Sequence, residues 1–298
     1  MKYICIMLAL LTTAVNVGFS QKKTENKSKD KIGIVLSGGA ARGFAHLGVL
    51  QALEDNGIVP DYVSGSSMGA VIGSAYAAGK TPAEIYDFGR KANFIRLYRP
   101  TLRASSLFKT TFLQKMLDDL IPHDDFGLLK KKLFVCMTNL NTAHWDIAST
   151  GTIKNKVIAS ASIPFVFEPS IIDSTIYVDG GLLNNLPVEP LKAMPDCKHI
   201  IGVSVNSLPH KTQHELLGME ALVRTVSMVV VGTEMQRRKH CNYYIEVDKA
   251  GTIGLLEFSR IDEFYQMGYE AVVSYIESHP EILQLSNRNE KNVNINDL

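Results

Sequence analysis

Residues 61–79, DYVSGSSMGAVIGSAYAAG, constrain this chain more than any other stretch. Tyr62-Val63-Ser64 has the character of a short strand, Gly65-Ser66-Ser67-Met68-Gly69 that of a tight turn, and residues 70–78 that of a helix of small side chains. A Gly-x-Ser-x-Gly turn between strand and helix lets the backbone reverse sharply and lifts the serine hydroxyl over the strand ends. The helix then aims its N-terminal amides at the same place, which favours developing negative charge. Ser67 is therefore the candidate nucleophile, with Gly65 and Gly69 making room around it. With 22 glycines in 298 residues, the five-residue pattern alone is a weak signal; the strand–turn–helix setting gives it weight. Gly69, Ala70, Gly73, Ala75, Ala77 and Ala78 suit close packing on a sheet, and Gly79-Lys80-Thr81-Pro82 ends the helix.

The chain is long enough for a full core, with 46% hydrophobic residues, and its formal net charge of +1 gives no basic excess that would point to nucleic acid. Lys2, an apolar run over residues 3–17, and small residues Gly18 and Ser20 before Gln21 have the pattern of a secretory signal peptide over residues 1–20. The alternative is an uncleaved anchor, against which stand the short run and its interruption by Thr12, Thr13 and Asn16. Cys5 lies near the start of the leader and not just after a cleavage site, so it is not placed as a lipid acceptor. The expectation is export, to the periplasm or cell envelope if the source is bacterial. Loss of Lys2 with the leader leaves a formally neutral chain with Cys136, Cys197 and Cys241, too few and too scattered for a disulfide framework or a metal site. No metal or cofactor is expected.

Residues 21–31 read as a polar, Lys-rich linker, and residues 32–36 as a buried parallel strand. A glycine-rich loop, Ser37-Gly38-Gly39-Ala40-Ala41-Arg42-Gly43, leads into a helix ending near Asn56-Gly57. This β-α-β-α start implies a parallel sheet. The loop does not suit a dinucleotide, because Ala40 stands where the second glycine is needed and Asp61 opens rather than closes the second strand. It lacks the Gly-Lys-Ser/Thr of a P-loop. As an oxyanion hole it makes sense: Gly38, Gly39 and Ala40 would offer backbone N–H groups beside Ser67, with Gly43 among the small residues and Arg42 either holding the loop or assisting with a phosphate.

Further on, residues 82–121 look helical around a basic-apolar segment, 96–103, which reads equally as a lipid-facing lid or as a solvated connection. Residues 133–138 and 144–149 read as paired strands, 155–161 as a helix, and 162–169 as an ordered turn fixed by Pro164 and Pro169. Asp179 closes a strand and is followed by Gly180 and Gly181; turn chemistry alone would account for it. A strand over 200–205, helices over 187–194, 213–239 and 263–278, and a strand over 243–247 complete the pattern. His46 reads as a packed helix residue rather than a base. The organisation is one catalytic core, 32–205, completed by 206–283 and followed by a polar tail, 284–298.

Four ordered stretches, SGGAARGFAHLGVL (37–50), GSSMG (65–69), ASASIPFVFEP (159–169) and YVDGGLLNNLPV (177–188), resemble the patatin-like phospholipase family. The likeness covers roughly residues 32–205, and Ser37 departs from the glycine many members carry there. It implies a three-layer α/β/α sandwich with a mainly parallel sheet. It also implies a metal-free acyl hydrolase acting on lipid or lysolipid esters, with transient membrane-surface contact. Ser67 then matches the nucleophile, Asp179 its general base, and Gly38, Gly39 and Ala40 the oxyanion hole, supported by Arg42, Gly43, Gly65, Gly69, Gly180 and Gly181. An aspartate within hydrogen-bond reach could take the serine proton directly if its pKa were raised by burial. Two other readings are an α/β-hydrolase whose triad is completed by His199, His210, His240 or His279, and a non-catalytic exported lipid-binding protein.

Overall fold

The computed structural model describes residues 30–92, 94, 106–108, 110–207 and 218–288. In chain order the main elements begin with β1 (Lys31–Leu36), α1 (Ala45–Asp55), β2 (Tyr62–Ser66), α2 (Met68–Ala77), α3 (Pro82–Lys91), β3 (Ser106–Phe108) and α4 (Thr111–Leu120). There follow β4 (Lys132–Asn139), β5 (His144–Ala148), α5 (Lys154–Ser160), β6 (Phe165–Phe167), β7 (Ser170–Ile172) and β8 (Thr175–Asp179). The remainder comprises α6 (Gly181–Asn184), α7 (Glu189–Lys192), β9 (Cys197–Ser204), α8 (Gly218–Arg237), β10 (Tyr243–Glu246) and α9 (Ile261–Ser278).

Five parallel strands in the order β10-β9-β1-β2-β4 form the centre of the sheet. Alternate side chains sort to opposite faces. Ile34 and Leu36 of β1, Val63 of β2, Val135 of β4 and Val203 of β9 join a large core, which α1, α2 and α9 also enter. Val35, Tyr62, Phe134 and Ile200 join a smaller one with Leu186, Val188 and Leu191 around α7. A strand buried on both faces must be apolar at every position, which explains the unbroken run Ile32–Leu36. The three-layer, mainly parallel architecture is thus as anticipated, with an antiparallel margin formed by β5, β7 and β8.

That margin places the site. Strand β5 pairs with β4 over Val135–Asn139, occupying one edge of it. On the opposite edge β2 pairs as far as Ser66↔Cys136, and β8, running the other way, begins at Asp179↔Met137. Two strands therefore abut end to end along one edge of β4, and their C-termini, Ser66 and Asp179, meet. The loop after β1 and the segment after β9 rise beside them, tied by Ser37 N–H to Val203 O (3.1 Å) and Val205 N–H to Ser37 Oγ (3.2 Å). Strand order reverses between β1 and β9, and the strand ends at such a switch point are where open α/β sheets hold ligands.

Helices α1 and α9 cross backbone to backbone: a Cβ on Gly48 would strike the Tyr265 carbonyl, and one on Gly268 the Ala45 carbonyl. Cys136 is buried in β4, while Cys197 and Cys241 are half-buried free thiols. Two boundaries shift. Lys31, assigned to the linker, already belongs to β1 because its amide bonds Asp196 O (2.8 Å) and its ammonium Asp196 (3.0 Å). The tail does not begin at 284: a 3-10 run, Pro280–Arg288, docks Ile282 and Leu285, three apart and so on one side, into the large core. The ordered turn at 162–169 contains a short strand, β6, parallel to β3. The leader, most of the linker and the 96–103 segment lie outside the described residues, as do the start of the 213–239 helix and residues 289–298.

Candidate active site

Strand β2 ends at Ser66, and Ser67 takes φ 51° and ψ −125° before α2 begins at Met68. A side chain at such a φ is strained, so the surroundings must impose it. They do: a Cβ at Gly69 would strike the Leu36 carbonyl, and one at Gly65 would lie 2.6 Å from the Gly69 backbone, so the turn is pressed against β1 with no slack. Ser67 N–H donates to Ser160 Oγ (2.9 Å), which fixes the turn from the other side.

Ser67 Oγ donates to Asp179 Oδ2 at 2.5 Å, across 112 positions of sequence. The other carboxylate oxygen accepts Gly181 N–H (2.8 Å), so α6 begins by orienting the acid. Gly180 packs where a Cβ would meet the Cys136 carbonyl. Asp179 is buried, and burial pushes its pKa up from 3.8 to about 6 against the opposing pull of the Ser67 and Gly181 hydrogen bonds.

The glycine loop lies against this pair, since a Cβ on Gly38 would sit 2.8 Å from Ser67 Cβ. Gly38 differs from the expected set of free donors. Its N–H is engaged by Asn185 Oδ1 (3.1 Å), and its carbonyl accepts from Asn185 Nδ2 (3.2 Å) and Asn206 Nδ2 (2.6 Å). Among the described residues no acceptor engages the N–H of Gly39 or Ala40, and these remain as donors beside Ser67. Ala40 adopts φ 48°, a left-handed turn that carries the loop over the serine. Gly43 packs against the Met68 side chain, and Arg42 donates Nε–H to Ile253 O (2.7 Å), anchoring the loop to the C-terminal part of the chain. His46 is buried in α1 and donates Nε2–H to Ser37 O (2.8 Å); burial holds its pKa down to about 4, so it is neutral.

Behind the loop sits a polar cluster that sequence reasoning missed. Glu234 of α8 is 2% exposed and accepts from Asn185 Nδ2, Ser204 Oγ and Asn206 Nδ2, the last at 2.7 Å. Burial pushes its pKa up to about 7 against those three hydrogen bonds. A lone acid among Met228, Val229, Val230, Val231 and Met235 was the available signal for it. Asn185 lay within a quoted motif, and Asn206 directly follows a predicted strand.

Two cavities meet at Ser67. One is walled by apolar groups including Met68, Phe94, Phe112, Met116, Phe167 and Phe258. The other is bordered by Gly39, Arg42, Asp179, Asn185, Asn206 and Val230. The candidate histidines lie elsewhere. His199 pairs with Ile32 at the opposite end of the sheet, His240 lies 3.3 Å from Lys192 Nζ, and His279 stacks on Tyr275; His210 is outside the described residues. Among the described residues no group of acidic, histidine or cysteine side chains could hold a metal ion, and no helix is long and apolar enough to cross a membrane.

Fold and geometry define an α/β protein with a serine–carboxylate pair at its strand ends. Residues 34–192, more than half of the chain, match the family model for patatin-like phospholipase, and the chain belongs to that family. It is 29% identical to lysophospholipase NTE1 of Lodderomyces elongisporus, over 81% of this chain and 19% of that protein. It is 26% identical to an uncharacterized NTE family protein of Mycobacterium bovis, over 85% of this chain and 48% of that one. The chain thus spans less than half the length of these curated relatives. VipD from Legionella pneumophila shares the fold, with a TM-score of 0.50 at 18% identity, over 84% of this chain and 67% of that one.

Proposed function

We propose that this chain is a serine acyl hydrolase that cleaves carboxylic esters of phospholipids or lysophospholipids through Ser67 and Asp179. The observation that carries this reading is the 2.5 Å hydrogen bond from a strained serine to a buried carboxylate whose pKa is raised to about 6. A carboxylate of ordinary pKa near 4 is a poor base, and burial makes this one better matched to proton transfer near neutrality. As Ser67 Oγ attacks the acyl carbonyl, its proton passes to Asp179 Oδ2. The carbonyl oxygen, now anionic, accepts from the Gly39 and Ala40 amides of the loop after β1. Return of the proton to the departing alcohol or lyso-lipid leaves an acyl-Ser67. Water, deprotonated by Asp179, then attacks the acyl carbon; the acyl–Oγ bond breaks, the fatty acid leaves, and the proton passes from Asp179 back to Ser67 Oγ.

The wholly apolar cavity suits the acyl chain, and the cavity bordered by Arg42 and the asparagines suits the leaving alcohol. Phe165, Met228, Val229 and Leu256 expose apolar side chains on or next to the segments that line the two cavities, which supports transient docking on a lipid surface. The name of the NTE1 relative, lysophospholipase, favours single-chain lipids. The apolar run after Lys2 supports export, which intact-mass measurement on protein from the periplasmic fraction would test by the loss of residues 1–20.

The test is hydrolysis of lysophosphatidylcholine and p-nitrophenyl esters, together with fluorophosphonate labelling, by wild type, Ser67→Ala and Asp179→Asn. Wild type should turn over and label at Ser67, and both variants should do neither. A protein that binds lipid but neither labels nor turns over would establish the non-catalytic alternative.

A further inference from the structure

Asp179 and Glu234 are the two buried carboxylates among the described residues, and hydrolysis as proposed above uses only the first. Glu234 touches none of the reacting groups. Its hydrogen bonds go to Ser204, Asn185 and Asn206, and both asparagines also bond Gly38. Building on the acyl-hydrolase reading, we propose that Glu234 is a positioning residue: through Asn185 and Asn206 it holds the Gly38–Gly39 peptide so that the Gly39 N–H faces the acyl oxygen.

The geometry follows from the peptide group itself. No cis bond occurs among the described residues, so the C=O of Gly38 and the N–H of Gly39 point in opposite directions. Two asparagine donors hold the Gly38 carbonyl, at 3.2 and 2.6 Å, which turns the Gly39 N–H the opposite way, away from the asparagine amides. With this peptide flipped, a carbonyl oxygen would stand where an anion must form, and a stabilising dipole would become a repelling one. What keeps the asparagines in order is a shared acceptor. Both donate to one carboxyl oxygen, Oε1, which accepts whether or not Oε2 carries a proton toward Ser204 Oγ, so each amide must present its NH₂ to Glu234. Asn185 Oδ1 is thereby left to accept the Gly38 N–H. Glu234 thus sets the direction of a donor it never contacts.

The experiment compares Glu234→Met, Glu234→Gln and Asn206→Ala with wild type. It measures kcat and KM on a p-nitrophenyl ester, and inhibition by an alkyl trifluoromethyl ketone, whose adduct with Ser67 is an oxyanion. In Glu234→Met the amides lose their acceptor. Removing an oxyanion donor outright costs 100- to 1,000-fold, so a donor left free to turn should lower kcat by about 10- to 100-fold, with KM within about twofold. Ketone inhibition should weaken by the same factor as kcat. Glu234→Gln should rescue both to within about threefold, because its oxygen can still accept from both asparagines while its NH₂ donates to Ser204 Oγ. Asn206→Ala leaves Glu234 paired with Asn185 and Ser204, so it carries the same test if Glu234→Met does not fold; one lost bond to Gly38 should lower kcat about 5- to 10-fold.

Wild-type kcat in both Glu234→Met and Asn206→Ala would overturn the proposal. So would a fall in kcat with ketone inhibition unchanged, or a loss in Glu234→Gln as large as in Glu234→Met. A wild-type protein that neither hydrolyses esters nor takes the ketone would instead defeat the functional reading itself, and this proposal with it.

Discussion

Replacing Asp179 by Asn should abolish hydrolysis and strengthen the fold at the same time. Burial moves the acid from 3.8 to about 6, so the folded protein binds this proton more tightly than the unfolded chain does. Such a group contributes its stabilisation fully below its unfolded pKa and loses it as pH rises through its folded one. At 1.36 kcal/mol per pKa unit, the ionised carboxylate costs about 3 kcal/mol at neutral pH. Asparagine never ionises, and its carbonyl can still accept the Gly181 N–H. The stability of Asp179→Asn relative to wild type should therefore climb by about 2 kcal/mol between pH 4 and pH 7, the first part of the ~3 kcal/mol having been gained below pH 4, then stay level. Urea unfolding of both proteins from pH 4 to pH 8 measures this, and every other titrating group cancels in the difference. Near pH 7.5 the gain should appear as roughly 6–12 °C in Tm. A difference that does not vary with pH would refute the assignment of Asp179 as a desolvated acid.

Four further outcomes follow from the same geometry. For wild type, kcat/KM should rise with pH to half its plateau near 6, because Asp179 must be ionised to accept the serine proton; a profile flat from pH 5 to 8 would contradict this. Ser67→Gly should be more stable than Ser67→Ala by about 1 kcal/mol, since only glycine relaxes at φ 51°, and denaturant melts would show it. Gly268→Ala should cost about 3 kcal/mol, because its methyl would strike the Ala45 carbonyl where α1 and α9 touch; a melt within 2 °C of wild type, well short of the ~2–4 °C per kcal/mol expected, would mean the helices part easily. His199→Ala, His240→Ala and His279→Ala should each keep esterase activity within about threefold, and loss of activity in any of them would revive a histidine triad.

The strand–turn–helix at 62–77 was legible because its signals are local: the apolar strand, the paired glycines and the small-residue helix all lie within about twenty positions. The alternation of faces along β1 and β4 was legible for the same reason. The meeting of Ser67 with Asp179 was reached only through resemblance, since turn chemistry alone would explain an Asp-Gly-Gly at a strand end. What produces it is a long-range fact, the end-to-end seating of β2 and β8 on one edge of β4. Gly38 was misjudged as a free donor because its partners, Asn185 and Asn206, stand 147 and 168 positions away. Glu234 was overlooked because an acid in a long helix ordinarily faces water. Leu285 was counted with a polar tail because its neighbours are polar, although its own side chain is 3% exposed.

The seating of β8 against β4 also separates what must stay fixed from what can vary. Asp179 is pinned by its pairing with Met137 and by its own N–H to Ser162 O (2.9 Å), and Ser160 holds the Ser67 amide, so within the excursion between the two antiparallel partners of β4 it is the turn just after Ser162 that can change without touching the acid or the serine. That turn supplies Ile163, Val166 and Phe167 to the apolar wall. Selectivity for one chain over another could thus drift, or be engineered by grafting this segment from a sibling, while the machinery for bond cleavage remained untouched.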